Sequence, residues 1–74
     1  MATVLDVKGL TCPLPVLRVQ KAMRALPAGE VLQIHATDPG APRDVAAFCE
    51  AQGHDYLGVG QSGDVFTIEI RRRG

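Results

Sequence analysis

Apolar and polar residues alternate in four short stretches of the chain, and this alternation is typical of half-buried β-strands. The stretches are residues 3–8, 31–37, 55–60 and 65–71. The side chains expected to point inward are Leu5 and Val7, then Leu32, Ile34 and Ala36, then Leu57 and Val59, and finally Phe66, Ile68 and Ile70. A Ser62-Gly63-Asp64 turn between the last two stretches predicts a β-hairpin.

Between the strands, apolar residues recur every three or four positions, as they do on one face of a helix. This spacing predicts a helix from Pro13 to about Leu26 and a second from Pro42 to Gly53. The expected inner faces consist of Val16, Val19, Met23 and Leu26 in the first helix, and Val45, Phe48, Cys49 and Gln52 in the second. Cys49 is therefore predicted to pack in the core rather than to act as a second reactive thiol.

The element order β-α-β-α-β-β predicts a two-layer α/β sandwich. Because crossovers between parallel strands are right-handed, both helices should cover one face of the sheet. We expect residues 1–74 to form a single domain, since a chain of this length supports one small core. The uncovered face would carry polar side chains, namely Asp6, Gln33, His35, Thr67 and Glu69.

Composition narrows the possible functions. Eight basic residues balance eight acidic ones, so no overall charge favours nucleic acid or an anionic membrane, and partner proteins are expected instead. No apolar run reaches the length of a membrane span and no signal peptide is evident, so we expect a cytosolic protein with both cysteines reduced. Arg72 and Arg73 are predicted to form a solvated, mobile end.

The candidate chemistry lies at Cys12, between the first strand and the first helix. Proline is accepted in the first turn of a helix, so Pro13 is assigned to the first helical position, Cys12 to the N-cap and Pro15 to the third position. The amides of Leu14 and Val16 would then face an anion on Cys12. A helix dipole stabilises such a charge by about 0.3–1 kcal/mol, which lowers a thiol pKa by under about one unit. A small buried cysteine without chemistry is the alternative interpretation.

Two groups of residues could assist Cys12. Leu14, Leu17, Arg18, Lys21 and Arg24, together termed the leucine-basic surface, lie opposite the inner face of the first helix. They are either a docking surface or an ordinary solvated face.

The second group follows the second strand. Parallel strands end at the same edge of a sheet, so Asp38, Arg43 and Asp44 should come near Cys12. Arg43 could lower the thiol pKa, and Asp38 could accept backbone amides and so support the loop. The alternative is a helix-cap arrangement without a functional role.

Other cysteine chemistries find little support. His35 falls on the outer face of a strand and His54 at a loop, so neither is placed as the base of a Cys-His hydrolase. Zinc ligands usually come in closely spaced pairs, which Cys12, Cys49 and the two histidines do not form. We therefore expect no metal and no bound cofactor.

Several short runs of residues resemble the TusA/SirA/YedF family of small sulfur-carrier proteins. They are Leu5-Asp6, Gly9-Leu10, Cys12-Pro13-Leu14-Pro15-Val16, Gly29-Glu30, Asp38-Pro39, Arg43-Asp44 and Phe48-Cys49. The resemblance extends over nearly the whole chain, and its Cys-Pro-x-Pro motif at a helix start is specific. It implies the same sandwich, with a last strand antiparallel to the others.

The resemblance also implies a function. The cysteine matching Cys12 carries sulfur as a persulfide, taken from a cysteine desulfurase and passed to a further relay protein. In the TusA branch the sulfur ends in a thiolated wobble uridine of tRNA, whereas other members serve sulfur oxidation or cofactor assembly. Leu14 departs from the acidic residue that several tRNA-thiolation members carry, which leaves the downstream acceptor open, as well as any direct contact with tRNA.

Two other classes of function remain possible on sequence grounds. In one, the chain is a protein- or RNA-binding module in which Cys12 is only structural. In the other, Cys12 and Cys49 form a redox switch, which requires their Cα atoms to approach within about 7 Å.

Overall fold

The computed structural model describes residues 2–73. Its six elements are β1 (Ala2–Asp6), α1 (Leu14–Ala25), β2 (Val31–Ala36), α2 (Ala41–Gln52), β3 (Asp55–Ser62) and β4 (Val65–Arg71). The predicted order β-α-β-α-β-β and the α/β class are confirmed.

The four strands form one mixed sheet in the order β1-β2-β4-β3. β1 and β2 are parallel, with Leu5 opposite Ile34, and β4 runs antiparallel to both β2 and β3. Only the last strand is therefore reversed, as the family resemblance implies. The C-terminal ends of β1, β2 and β3 consequently lie along one edge of the sheet, termed the carboxyl edge. Both the loop with Cys12 and the two-residue turn of the β3–β4 hairpin lie on this edge.

The core lies between the sheet and the two helices. The fully buried side chains from the sheet side and from the helices are Leu32, Ile34, Ile68, Ile70, Val7, Val19, Val45 and Cys49. The inward residues predicted for β2 are confirmed, as are Ile68 and Ile70 of β4, while Phe66 packs against the core from a partly buried position. Cys49 is only 1% exposed, so its assignment to the core is also confirmed.

The uncovered face of the sheet is mostly polar, as predicted, and Val4, which lies opposite Gln33 and is 57% exposed, is an apolar exception. Gln33 lies opposite Glu69 and His35 lies opposite Thr67. The side chain of Gln33 connects its neighbours, because its oxygen is 3.0 Å from His35 Nε2 and its amide nitrogen is 3.5 Å from Glu69 Oε2. Gln33 therefore hydrogen-bonds to His35 within β2 and to Glu69 on the neighbouring strand β4.

The prediction for β3 is wrong in one respect. Leu57 was expected to point inward, but the ladder pairs Tyr56 with Ile70 and Gly58 with Glu69, which leaves Leu57 as the extra residue of a β-bulge. Leu57 is 47% exposed, and Tyr56 packs against the core in its place. Val59 lies opposite buried Ile68 yet is 48% exposed, because β3 is an edge strand that the helices cover incompletely.

The helix boundaries differ slightly from those predicted. α1 begins at Leu14, and Pro13 rather than Cys12 is its N-cap residue. α2 begins at Ala41, one residue before Pro42, and ends at Gln52. Its C-cap residue is Gly53, whose φ of 76° is the left-handed conformation favoured by glycine. Proline in the first turn therefore marked both helix starts to within a residue.

The prediction of a mobile end is wrong for Arg72. Its guanidinium group donates hydrogen bonds to the carbonyl oxygens of Met23 at 2.8 Å, Arg24 at 3.3 Å and Leu26, at the end of α1. The Met23 oxygen also accepts the Leu26 amide at 3.3 Å. Its own backbone pairs with Gly29 and Glu30. The next residue, Arg73, donates its amide to His54 Nδ1 at 3.2 Å.

No helix within residues 2–73 has both the length and the apolar character needed to cross a lipid bilayer.

Candidate functional site

Cys12 is exposed in the loop that joins β1 to α1. The chain leaves β1 through a turn in which Leu10 donates its amide to the Val7 carbonyl at 3.2 Å, and Gly9 adopts a positive φ of 83°. Leu10 packs against the core, so the loop is anchored two residues before the cysteine. The geometry leaves the thiol accessible to a partner protein.

Two side chains from the end of β2 hold this loop. The Cys12 amide donates to Asp38 Oδ2 at 3.1 Å, and the Gly9 amide donates to Thr37 Oγ1 at 2.9 Å. Asp38 also accepts the amide of Gly40 through its other oxygen at 3.5 Å. The carboxyl ends of β1 and β2 are thus connected by hydrogen bonds that position Cys12 beside the start of α2.

Asp44 approaches the cysteine from the first turn of α2. Gly40 lies between the two acids, because a Cβ built on it would be 3.7 Å from Asp38 Oδ2 and 3.7 Å from Asp44 Oδ2. The first of these oxygens is the one that accepts the Cys12 amide. Two carboxylates therefore converge on the side of Cys12 that faces α2.

This surrounding raises the pKa of the Cys12 thiol above its ordinary value. The largest cause is a hydrogen bond from the thiol to the Asp44 carboxylate, followed by partial removal from water and by the negative charges of Asp44 and Asp38. Arg43 acts in the opposite direction and is outweighed. The net shift of the pKa is therefore opposite to the lowering expected from the helix dipole, because Cys12 precedes the N-cap and carboxylates lie near it.

The two backbone amides predicted to hydrogen-bond an anion on Cys12 differ in their availability. The Leu14 amide donates to the Thr11 carbonyl at 2.9 Å, so this donor is already engaged. Val16 lies in the first turn of α1, where amides have no helical partner four residues earlier. Pro15 is buried against the core whereas Pro13 is exposed, and the side chain of Arg43 is exposed at the start of α2.

The leucine-basic surface is open to solvent. Leu14 and Leu17 are 46% and 49% exposed. Arg18, Lys21 and Arg24 are also exposed. The surface begins one residue after the loop with Cys12 and continues along α1.

Both histidines lie away from Cys12. His35 bonds to Gln33 on the uncovered sheet face, and His54 packs against Phe48 with ring centroids 5.7 Å apart. Among residues 2–73 there is also no cluster of three or more His, Cys, Asp or Glu side chains arranged to hold a metal ion. A groove of about 360 Å³ between the ends of the helices, lined in part by Met23, Phe48 and His54, lies at the opposite end of α1.

Sequence reasoning missed two features near the site. Thr37 is the last residue of the predicted second strand, and the hydrogen bond that it accepts from Gly9 had no sequence signal beyond its place before Asp38-Pro39. Asp44 was placed near Cys12, but its direct influence on the thiol depends on how the first turn of α2 packs. Both features follow from strand topology rather than from a local motif.

The fold and the site together define a class of two-layer α/β proteins. These proteins have an exposed cysteine just ahead of the first helix and a buried cysteine in the second helix. A family model described as "Sulfurtransferase TusA" matches residues 3–72. The chain belongs to this TusA family.

Named relatives agree with that family. YrkF of Bacillus subtilis, whose name describes a candidate sulfur carrier protein, is 46% identical over 71 residues, which is 96% of this chain and 38% of YrkF. YrkI of the same organism, with a similar name, is 45% identical over 69 residues, covering 93% of this chain and 92% of YrkI. The sulfur carrier protein TusA of Allochromatium vinosum is 40% identical over 68 residues, covering 92% and 90%.

The fold has a solved counterpart. The crystal structure of a SirA-like protein from Desulfitobacterium hafniense superimposes with a TM-score of 0.84 and covers all of both chains at 24% identity. This likeness supports the fold, while the family membership and the relatives' names support a sulfur-carrier role.

Proposed function

We propose that Cys12 carries sulfane sulfur as a persulfide and relays it between proteins. The observation that carries this proposal is the exposure of Cys12, in a loop fixed by Asp38 and Thr37, within a chain of the TusA family. The other cysteine, Cys49, is buried in the core and is given no part in the reaction.

The proposed exchange conserves atoms and charge. The Cys12 thiolate attacks the terminal sulfur of a protonated persulfide on the donor, a new S–S bond forms at Cys12, and the donor's S–S bond breaks to release its thiolate. Delivery is the same exchange with roles reversed, in which an acceptor cysteine attacks the terminal sulfur on Cys12. No net oxidant or reductant is required.

The other residues around Cys12 have separate proposed roles. The Val16 amide and the Arg43 guanidinium stabilise the terminal sulfur as an anion, and the Leu14 amide assists only if it leaves the Thr11 carbonyl. Pro13, Pro15 and Asp38 shape and support the loop. Leu17, Arg18, Lys21 and Arg24 of the leucine-basic surface bind the partner protein.

Membership of the TusA family supports the choice of partners. A cysteine desulfurase is the proposed donor and a sulfur-relay protein the proposed acceptor. The proposed endpoint is the thiolation of tRNA uridine. The donor, the carrier and the acceptor would all be in the cytosol. Sulfur oxidation and cofactor assembly are alternative endpoints for the same carrier. In each case residues 1–74 act as one carrier domain, and direct contact with tRNA is not needed.

Mass spectrometry after incubation with a desulfurase and cysteine tests the proposal. The wild-type protein and Cys49→Ala should each gain the mass of one sulfur, and Cys12→Ser should gain none. Equal sulfur acceptance by Cys12→Ser and wild type would contradict the proposed role of Cys12.

Native alkylation separates the carrier from a simple interaction module. In a carrier, iodoacetamide labels Cys12 while the buried Cys49 stays unmodified until the protein unfolds. If both cysteines are equally inert in the folded protein, a binding module explains the chain better.

A further inference from the structure

The groove between the C-terminal ends of α1 and α2 takes no part in the chemistry proposed for Cys12. Its volume is about 360 Å³, which is at the low end of the range for small-molecule sites. Because α1 has 12 residues and is therefore about 18 Å long, the groove lies far from Cys12, which precedes that helix. A molecule bound in the groove would leave the thiol exposed.

The groove is cationic although the chain as a whole has no net charge. Arg24, Arg72 and Arg73 line it, and no acidic residue is among the described residues that do so. Arg73 is partly neutralised, because its Nη1 atom is 3.5 Å from Asp55 Oδ1. Arg24 forms no ion pair within residues 2–73. Three guanidinium groups and one paired carboxylate thus leave two positive charges uncompensated.

Arg72 is held in position before any ligand binds. Both helices end beside the groove, and the carbonyl groups of a helix C-terminus disfavour an anion. Arg72 offsets this effect at α1, because its Nη1 atom donates to the carbonyl oxygens of Met23 and Arg24. Its Nε and Nη2 atoms have no hydrogen-bond partner in the part of the chain that the structure describes. These two nitrogens remain available to a ligand.

An aromatic pair gives the groove an apolar side. The rings of Phe48 and His54 lie with centroids 5.7 Å apart, next to Met23, which is only 3% exposed. The Arg73 amide donates to His54 Nδ1 at 3.2 Å, so the neutral ring carries its proton on Nε2 and is a further donor. The groove therefore combines charged donors with a surface on which a flat ring can pack.

We propose that this groove binds a small phosphate monoester that carries a flat ring and has the size of a mononucleotide. A phosphate monoester carries about 1.5 to 2 negative charges at pH 7, which matches the two uncompensated cations. Guanidinium groups bind phosphate oxygens through paired hydrogen bonds, and the ring packs against Phe48 and His54. The inference goes beyond the proposed sulfur-carrier function and does not rest on it.

Titration with AMP, followed by NMR of the ¹⁵N-labelled protein, tests this inference. AMP is added up to about 10 mM, which is enough to detect a site of millimolar affinity. The backbone amides of Arg24, His54 and Arg73 should shift in a saturable way, whereas the amide of Cys12 should not. Adenosine and inorganic phosphate should each bind at least about tenfold more weakly, because each lacks either the charged contacts or the ring contact.

Two double variants with the same change of net charge provide the control. Arg24→Gln combined with Arg73→Gln should weaken AMP binding by about tenfold or more, because it removes two charged donors from the groove. Arg18→Gln combined with Lys21→Gln removes two cations of α1 that do not line the groove, and AMP binding should stay nearly unchanged. The titrations are made at about 0.15 M salt, where exposed charges more than about 8 Å apart are largely screened.

Three results would overturn the inference. They are the absence of saturable shifts at the groove, an equal loss of affinity in the two double variants, and binding of adenosine or inorganic phosphate as tight as that of AMP. Circular dichroism establishes that the variants are folded. If the groove double variant unfolds, Arg73→Gln alone decides, and an unchanged affinity for AMP in that variant also overturns the inference.

This readout is independent of sulfur transfer. A protein that binds AMP in the groove but accepts no sulfur on Cys12 would refute the proposed function and keep the phosphate site. A protein that accepts sulfur on Cys12 but shows no saturable binding of AMP would do the reverse.

Discussion

The two cysteines of this chain occupy opposite environments although their thiols are chemically identical. Cys12 is exposed beside two carboxylates, whereas Cys49 is 1% exposed in the core on the inner face of α2. Burial raises the pKa of the Cys49 thiol to about 11, and the charge of Asp55 adds to the same shift. Asp44 and Cys49 are five residues apart on α2, which corresponds to about 7.5 Å along the helix axis.

The raised pKa of Cys49 makes the stability of the fold depend on pH. An unfolded thiol ionises near its ordinary pKa of about 8.5, and the folded one near 11, so the unfolded state loses its proton first. The contribution is complete below about pH 8.5 and is lost as pH rises toward 11, at a cost of about 3 kcal/mol. Urea unfolding of Cys12→Ser at pH 8 and pH 10.5 measures this loss.

The matched control for that experiment is Cys12→Ser combined with Cys49→Ala. This variant is less stable at both values of pH because it leaves a small cavity, but its stability should fall less between pH 8 and pH 10.5. The same decrease in both proteins would mean that Cys49 does not cause it.

The place of Cys12 just ahead of α1 could be predicted from the sequence, but the direction of its pKa shift could not. Pro13 and Pro15 locate a helix start, and the parallel strands bring Asp38 and Asp44 to the same edge of the sheet. Whether the helix dipole or the carboxylates dominate depends on distances of a few ångströms. Such distances are set by the packing of α2, which no local motif encodes.

Among the elements, α1 depends on a residue far along the chain. Its last carbonyl groups receive hydrogen bonds from the Arg72 guanidinium, and the Arg72 backbone pairs with Gly29 and Glu30. A cation at a helix C-terminus also interacts favourably with the helix dipole. The residue that follows β4 therefore also stabilises the first helix.

Removing this cap should destabilise the protein. We expect Arg72→Ala to lower the free energy of unfolding by about 1–3 kcal/mol, because partly buried carbonyl groups lose charged donors. Thermal or urea denaturation measures the loss. Arg73→Ala is the control, since its ion pair with Asp55, 3.5 Å long, is exposed and contributes under about 1 kcal/mol. Equal effects of both substitutions would contradict the capping role.

The secondary structure could be predicted where apolar residues keep one regular period along an element. The prediction failed where that period is interrupted. The alternation in β2 and β4 gave the correct inward residues, and Gly53 correctly marked the end of α2. In β3 the bulge at Leu57 shifts the alternation by one residue. The bulge arises from pairing with β4, so the strand's own sequence does not reveal it.

At the scale of the whole molecule, the balanced net charge conceals an uneven distribution. The leucine-basic surface carries Arg18, Lys21 and Arg24, while Asp38 and Asp44 lie on the other side of Cys12. A partner that covers Cys12 therefore meets positive charge along α1 and negative charge near α2. This asymmetry favours one orientation of the partner over others.

The leucine-basic surface can be tested with a pair of leucines of nearly equal exposure. Leu17 is 49% exposed on α1 and Leu57 is 47% exposed on β3. If the surface binds the donor, Leu17→Glu should reduce the rate of sulfur acceptance by about tenfold or more, because it removes apolar contact area and adds a charge. Leu57→Glu should leave the rate nearly unchanged. Sulfur transfer from the desulfurase is followed by mass spectrometry.

The interpretation requires that both variants remain folded, which circular dichroism establishes. If Leu57→Glu slows transfer as much as Leu17→Glu does, the partner binds through a different surface. If neither variant slows it, the exposed leucines of α1 play no part in recognition.

The β3–β4 hairpin ends on the same edge of the sheet as Cys12. Adjacent strands are about 4.8 Å apart, so β3 lies only about 10 Å from β2. A protein interface of ordinary size, about 800 Å² on each side, extends farther than this. The fluorescence of a label attached near Gly63 would thus change when a donor or an acceptor binds, without modification of Cys12. The association and dissociation of each partner could then be followed in real time.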